Sequence, residues 1–437
     1  MEWYNSAILI FGFFLLLLFS GLHVGISFAS TGIVGLLFFQ GGKEALSQVI
    51  RIIHDSFYSY GLLAIPLFIL MAELLESSGA NRRLFNAVQM WFRWLPGSLP
   101  TSGMITCGIF GAACGSSLAA TASLGKLMFT QMIPRGVDKE LIAGVVTAGG
   151  SLSLLIPPSL GFILYGVLTE ASVGRLFIAG IIPGVILVGI FSVYIIIRAF
   201  KNPKLAPRIS EQHHSFIELI KLSKGAIPIF IVIISVLGSI YTGITTPNEA
   251  GAIGSFLAII IGMITKELTW SKLSKSIFTT LSTTGLIMFI LIGGQIFTRL
   301  IALQGIGHAM SRTITDLGLS PYLILFFITI MYLILGMLMD GISITILTVP
   351  IIVPILAKLG FDIIWFGVYL IILIEIGLLT PPVGLNLYVV QNLASPYGLH
   401  LWGIIRGSFP FVVLMILFLI LLIFFPNLAL WLPATMK

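Results

Sequence analysis

Leu154-Leu-Ile-Pro-Pro-Ser159 and Leu378-Leu-Thr-Pro-Pro-Val383 each place two consecutive prolines inside a long apolar stretch. Proline lacks an amide hydrogen and its ring clashes with the preceding turn, so neither stretch can run as one continuous helix. Each break follows, by about forty residues, a segment of small and polar residues: Gly111-Ala-Ala-Cys-Gly-Ser-Ser117 in one case, Gly336-Met-Leu-Met-Asp-Gly341 followed by Ile342, Ser343, Ile344 and Thr345 in the other. Pro157 and Pro381 are 224 residues apart (381 minus 157) and Gly111 and Gly336 are 225 apart (336 minus 111), close to half of the 437 residues. One motif occurs twice, and paired Gly/Pro interruptions in two halves of a membrane protein point to the binding site of a secondary transporter.

The chain is 58% hydrophobic and 9% charged, with mean hydropathy +1.11. Ordinary soluble domains carry roughly 25% charge. Apolar runs long enough to cross a ~30 Å hydrocarbon core recur from end to end, which excludes a sizeable catalytic or ATP-binding module outside the membrane. The N-terminal apolar run lacks a basic leader and a clear cleavage site, so it reads as a permanent helix. Cys107 and Cys114 read as small packing residues.

Length and breakers predict spans near 6–20, 22–39, 59–77, 140–170 and 176–200, repeated near 225–244, 249–266, 279–301, 362–393 and 402–425. Between the third and fourth spans of each half lie interrupted apolar segments, 98–132 and 320–357, read as re-entrant hairpins. Their irregular backbone requires cover by protein or a water-filled cavity. The fold class expected is therefore an all-α polytopic membrane protein. Five crossings per half make the second half an inverted copy of the first. With both termini outside, 16 of the 23 Lys and Arg residues fall inside and 7 outside, namely Lys43, Arg51, Arg175, Arg299, Arg312, Lys358 and Lys437. The positive-inside rule selects that orientation. The net charge of +7 calls for anionic lipid headgroups rather than nucleic acid, its densest run being Arg198 to Lys224. Stretches 42–57 and 81–95, the latter with Trp91 and Trp94, read as interfacial helices, with 302–317 as their counterpart.

At a hairpin tip, backbone carbonyls lose their helical partners, and the proline breaks free others in the facing helix. Such carbonyls hold the ions of sodium-coupled carriers. In the first half the candidate Na+ ligands are Gly115, Ser116, Ser117, Ser151, Ser153 and the Pro157 break. In the second half they are Gly341, Ser343, Thr345, Thr380 and Gly384. Small residues such as Thr147-Ala-Gly-Gly-Ser151 also serve close helix packing, but the duplication with matched proline breaks favours an ion site. Ionisable residues at membrane depth are functional candidates. Asp340 could bind a cation, bond substrate hydroxyls or cap the helix after the tip. Glu375 reads as structural, bonded to the neighbouring hairpin. Arg299 suits a substrate carboxylate or snorkels to headgroups; Ser159 and Asn386 complete the substrate candidates. The scarcity of buried acids favours Na+ over proton coupling. Transition metals, organic cofactors and a phosphate-binding loop are not expected, nor is hydrolytic chemistry.

The segments Leu63-Ala-Ile-Pro-Leu-Phe68, Gly111 to Ser117, Ile156-Pro-Pro-Ser159, Thr246-Pro-Asn-Glu-Ala250 and Glu375 to Asn386, in this order over essentially the whole chain, resemble the large membrane subunit of tripartite ATP-independent periplasmic (TRAP) transporters. The resemblance implies Na+-driven uptake of an organic acid of the sialic acid or C4-dicarboxylate class. It also implies a periplasmic substrate-binding protein, a small four-helix (Q-type) membrane subunit and a bacterial inner-membrane location. An elevator mechanism is implied as well: residues 1–97 and 225–319 as scaffold, 98–200 and 320–425 as transport domain, 201–224 as a cytoplasmic linker and 426–437 as a tail. Na+ would sit beside Ser116, Ser117 and the Pro157 break, and beside Gly341 and the Thr380 break, with substrate between the tips. The chain starts at its first large-subunit helix, so the small subunit is expected as a separate chain.

Two other readings use the same residues. A self-sufficient Na+/carboxylate symporter or antiporter would share the inverted hairpins and need no partner. An intramembrane enzyme would need convergent acid/base or metal groups, for which only Asp340 and Glu375 are on offer, on separate elements.

Overall fold

The computed structural model describes residues 3–207, 223–316 and 318–436, and every regular element among them is helical. The first half runs α1 (Trp3–Phe19), α2 (Val24–Gln40), α3 (Gly42–Phe57), α4 (Ala64–Ser77), α5 (Ala80–Trp91), α6 (Ser98–Cys114), α7 (Ser117–Met132), α8 (Lys139–Leu155), α9 (Leu160–Thr169) and α10 (Val173–Lys201). The second runs α11 (Ile227–Tyr241), α12 (Pro247–Ile264), α13 (Trp270–Leu303), α14 (Ile306–Asp316), α15 (Pro321–Leu338), α16 (Gly341–Lys358), α17 (Ile363–Leu378), α18 (Leu385–Ala394), α19 (Leu401–Phe424) and α20 (Asn427–Ala434). Hairpins α6–α7 and α15–α16 and broken helices α8–α9 and α17–α18 occupy the predicted places.

Two elements differ from the expectation. The span at 279–301 is part of one unbroken 34-residue helix, α13. At 1.5 Å per residue it is about 50 Å long, well beyond the hydrocarbon core, so its first turns take the place that the separate helix α3 fills in the first half. The expected tail contains a helix, α20, which packs against α10. The middle of the linker at 201–224, with Arg208 and Lys221, lies outside the described residues, as does Lys437.

The repeat is visible in local chemistry. Gly136 and Gly360, 224 residues apart (360 minus 136), both take positive φ, +76° and +86°. Two residues after each, an aspartate caps the following helix: Asp138 accepts from Leu141 N at 2.9 Å and Asp362 from Trp365 N at 2.9 Å. These caps satisfy amides that a helix N-terminus leaves open. Both Pro-Pro bonds are cis.

Packing is reciprocal between halves. Helix α2 lies against α13 while α12 lies against α4; α7 meets α18 while α16 meets α9. Without a hydrophobic driving force between helices in lipid, close approach depends on small residues. A Cβ on Gly32 of α2 would stand 2.7 Å from Ile296 Cγ2 of α13. The hairpins cross the broken helices at matching points: a Cβ on Gly111 would lie 2.9 Å from Ser153 Oγ, and one on Gly336 would lie 2.8 Å from the Gly377 Cα. At the second crossing both partners are glycine, so nothing can yield except backbone. Gly336→Leu is expected to cost about 1–3 kcal/mol through overpacking, read as a lowered melting temperature in detergent; an unchanged melt would mean that the crossing is looser than described.

Candidate functional site

Hairpin 1 turns at Gly115, whose φ of +64° is the left-handed region open to glycine. A Cβ there would lie 2.8 Å from Pro158 O, and Leu160 N donates to Gly115 O at 3.1 Å. The tip is thus tied to the first proline break. Pro157 and Pro158 cannot donate to the carbonyls of Ser153 and Leu154. The hydroxyl of Ser159 replaces one missing donor by bonding Leu154 O. Ser153 has no such substitute, and its own Oγ is buried without a partner. Ser116 is extended and begins α7 without a side-chain cap.

Hairpin 2 turns at Asp340. Its Oδ2 accepts from Ser343 N at 3.1 Å and its Oδ1 from Ser343 Oγ at 2.5 Å, so Asp340 caps α16. Thr345 Oγ1 donates to Gly341 O at 2.7 Å. At the second break Thr380 Oγ1 donates to Ile376 O at 2.6 Å, Pro382 leaves Leu378 O without its helical donor, and a Cβ on left-handed Gly384 would come within 3.0 Å of Thr380 O.

The two tips and both broken helices meet at a cavity of about 60 Å³ lined by Ser116, Ser117, Leu118, Leu154, Leu160, Gly161, Asp340, Gly341, Ile342, Thr345 and Leu378. Five of the predicted site residues, Ser116, Ser117, Asp340, Gly341 and Thr345, come together there. The space is small, and its wall combines the polar groups of Ser116, Ser117, Asp340 and Thr345 with the apolar side chains of Leu118, Leu154, Leu160, Ile342 and Leu378.

Three of the four substrate candidates fall elsewhere. Asn386 is fully buried and gives its amide hydrogen to Ser117 Oγ at 2.7 Å; it sits behind hairpin 1, off the cavity wall. The Ser159 hydroxyl is consumed by Leu154 O. Arg299 is exposed on α13, its Nε donating to Gln48 Oε1 of α3 at 3.3 Å. Glu375 is bonded to hairpin 1, as read from the sequence: Ser117 Oγ donates to its Oε2 at 3.2 Å.

A second cavity of about 920 Å³ opens between hairpin 1 and helices α4 and α13. Its wall includes Glu73 and Glu76 of α4, Asn81 of α5, Ser123 and Lys126 of α7, and Lys275 of α13. Of these, the sequence reading counted Lys126 and Lys275 only as inner-side charges and did not single out the others. The signal was present, since Glu73 and Glu76 are three apart and share a helix face. On the opposite side α16 of hairpin 2 packs directly on α13, where a Cβ at Gly294 would collide with Ile346. The positive-inside assignment puts the open cavity on the cytoplasmic side.

The family model described as "Tripartite ATP-independent periplasmic transporter, DctM component" matches residues 11–428. The C4-dicarboxylate TRAP transporter large permease protein of Pseudomonas aeruginosa is 33% identical over 377 residues, 86% of each chain. Its namesake in Rhodobacter capsulatus is 30% identical over 446 residues, 98% of this chain and 99% of that one. Other relatives are named for sialic acid, isethionate and ectoine/5-hydroxyectoine. The crystal structure of the Alcanivorax borkumensis YdaH transporter, at 12% identity, covers 98% of both chains with a TM-score of 0.65 and supports the fold.

The capping geometry separates the charge of Asp340 from its structural use. Asp340→Asn keeps a good cap, whereas Asp340→Ala loses about 1 kcal/mol of helix stability. Both are expected to lose most Na+-driven uptake, with only the Ala variant melting lower; full uptake by Asp340→Asn would show that the cap is all the residue supplies.

Proposed function

The chain belongs to the DctM-component family of tripartite ATP-independent periplasmic transporters and is a multi-pass inner-membrane permease, and from that premise we propose that it carries an organic acid inward on a Na+ gradient by an elevator motion. The hairpins and broken helices, 98–200 and 320–425, would be the moving body, and the first spans of each half with α13 the fixed one. A small Q-type membrane subunit and a periplasmic binding protein would complete the system; one relative is named DctMQ.

The observation that carries this reading is the unequal packing of two equivalent hairpins. A repeat with two similar halves can exchange their environments, and the exchange gives the opposite state. Here α7 of hairpin 1 faces an open cavity while α6 of the same hairpin packs on α4 and α5, and α16 of hairpin 2 packs against α13; an open face at α7 on the cytoplasmic side is the arrangement expected of a carrier open to the cytoplasm.

Arg299 fits the same motion. Helices α13 and α16 touch at Gly294 and Ile346, and in the orientation selected by the positive-inside rule both would run outward. The tip at Gly341 lies five residues before Ile346, and Arg299 lies five residues after Gly294. At 1.5 Å per residue the tip is about 15 Å short of Arg299. An outward slide of that size brings the tip cavity level with the guanidinium, which would then meet a substrate carboxylate on arrival from the binding protein. Na+ coupling is supported by the oxygens that Ser116, Ser117, Asp340, Gly341 and Thr345 bring to a cavity whose remaining wall is apolar, and by the carbonyls that the prolines leave open.

In proteoliposomes holding this chain with its Q-type subunit, labelled succinate or sialic acid should enter only with an inward Na+ gradient and the binding protein. Arg299→Ala should raise the substrate KM by about tenfold or more, the worth of a charge-assisted hydrogen bond, and leave the Na+ dependence in place. Uptake by the chain alone would contradict the tripartite reading, and a changed Na+ dependence with unchanged KM would contradict the role of Arg299.

A further inference from the structure

Glu375 lies on α17, five residues before Thr380, and is 1% exposed. Among the described residues no Lys, Arg or His forms an ion pair with it. Its Oε2 accepts from Ser117 Oγ, the first residue of α7, and that same hydroxyl accepts from Asn386 Nδ2 of α18 at 2.7 Å. Ser151 of α8, which occupies the matching place in the first half (375 minus 224), also faces the carboxyl group. The other oxygen of each side chain, Glu375 Oε1 and Asn386 Oδ1, is buried and has no hydrogen-bond partner.

A buried carboxylate needs a compensating charge, and a buried acceptor needs a donor or a cation. Here two acceptor oxygens stand open on side chains that converge on a single hydroxyl. Carboxylate, amide and hydroxyl oxygens are the donors that hard cations take. A single carboxylate among neutral oxygens balances a monovalent ion, because a divalent one would leave excess positive charge in the interior.

We propose that Glu375 and Asn386, oriented by Ser117, bind one Na+ at a buried site built from both halves of the chain, next to the tip cavity, with which it shares Ser117. The tip-cavity wall contains neither Glu375 nor Asn386. The inference rests on the Na+-coupled reading above and adds an ion to it. All three residues belong to hairpin 1 or to the second broken helix, so the ion would move with the proposed transport body. It would also clamp the start of α7 to α17 and α18. Losing it would leave the Glu375 charge uncompensated and loosen hairpin 1, the hairpin that faces the open cavity.

The test is equilibrium binding of radioactive Na+ to the purified full chain in nanodiscs, with choline as the replacement cation, alongside a Na+-dependent shift in melting temperature. Wild type should bind one more Na+ per chain than Glu375→Gln, an isosteric change that keeps the contact with Ser117. Asn386→Ala should retain the ion count and weaken one site by about tenfold, the usual effect of losing one supporting ligand. Equal Na+ count and affinity in wild type and Glu375→Gln would overturn the inference while leaving Na+ coupling intact. A Glu375→Gln variant that binds Na+ as wild type does but loses a pH dependence of uptake would also overturn it, in favour of a protonated carboxyl. Wild type that binds no Na+ at all would refute the coupled reading itself. Should Glu375→Gln fail to fold, Asn386→Ala decides alone: unchanged Na+ affinity in that variant rejects the site.

Discussion

The membrane interior offers no water to a backbone carbonyl, so every break in a helix at that depth must be answered by another part of the protein. Pro157-Pro158 and Pro381-Pro382 create that demand twice. The answers are specific: Ser159 bonds Leu154 O, Leu160 N closes on Gly115 O, and glycines at 111, 336 and 377 let the hairpins approach closely enough to cover what remains. The carbonyls left over, at Ser153 and Leu378, lie next to the hairpin tips. Hairpins, close crossings and tip cavity all follow from where these prolines stand.

Much of this was legible before any coordinates, because Pro and Gly act locally. Breaks, tips, amphipathic arms and the 224-residue repeat all come from residues whose backbone preferences do not depend on their surroundings. The long helix α13 was not legible: between Trp270 and Leu303 there is no proline, and Gly285, Gly293 and Gly294 are carried inside the helix without interrupting it. The substrate candidates show a second limit. Sequence locates a residue along its helix, but not the neighbour that claims its side chain. Asn386 is two residues from Gly384, yet its amide turns to Ser117. Arg299 is exposed on α13 and turns to Gln48 of α3. Asp340 was open between three uses, and its two oxygens show that capping is one of them.

The polar groups fall into two classes with different consequences. The polar residues of the tip cavity share a small space with leucine and isoleucine side chains. Glu375 and Asn386 are buried behind hairpin 1 and tied to it by Ser117, which belongs to both groups. The large cytoplasmic cavity adds acids and bases along α4, α7 and α13, so an anion leaving the tips would cross a wall of mixed charge rather than a basic funnel. On the proposed inward cycle such a wall would favour release over retention.

The central claim is that the two hairpins move as one body against α13. Spin labels at position 126 on α7 and position 275 on α13 face each other across the cytoplasmic cavity, and pulsed dipolar distances between them in nanodiscs report that motion directly. The account predicts two distance populations, with Na+ and substrate-loaded binding protein shifting weight between them by a displacement of about 15 Å along the membrane normal. A single distance that no combination of Na+, substrate and binding protein alters would contradict it.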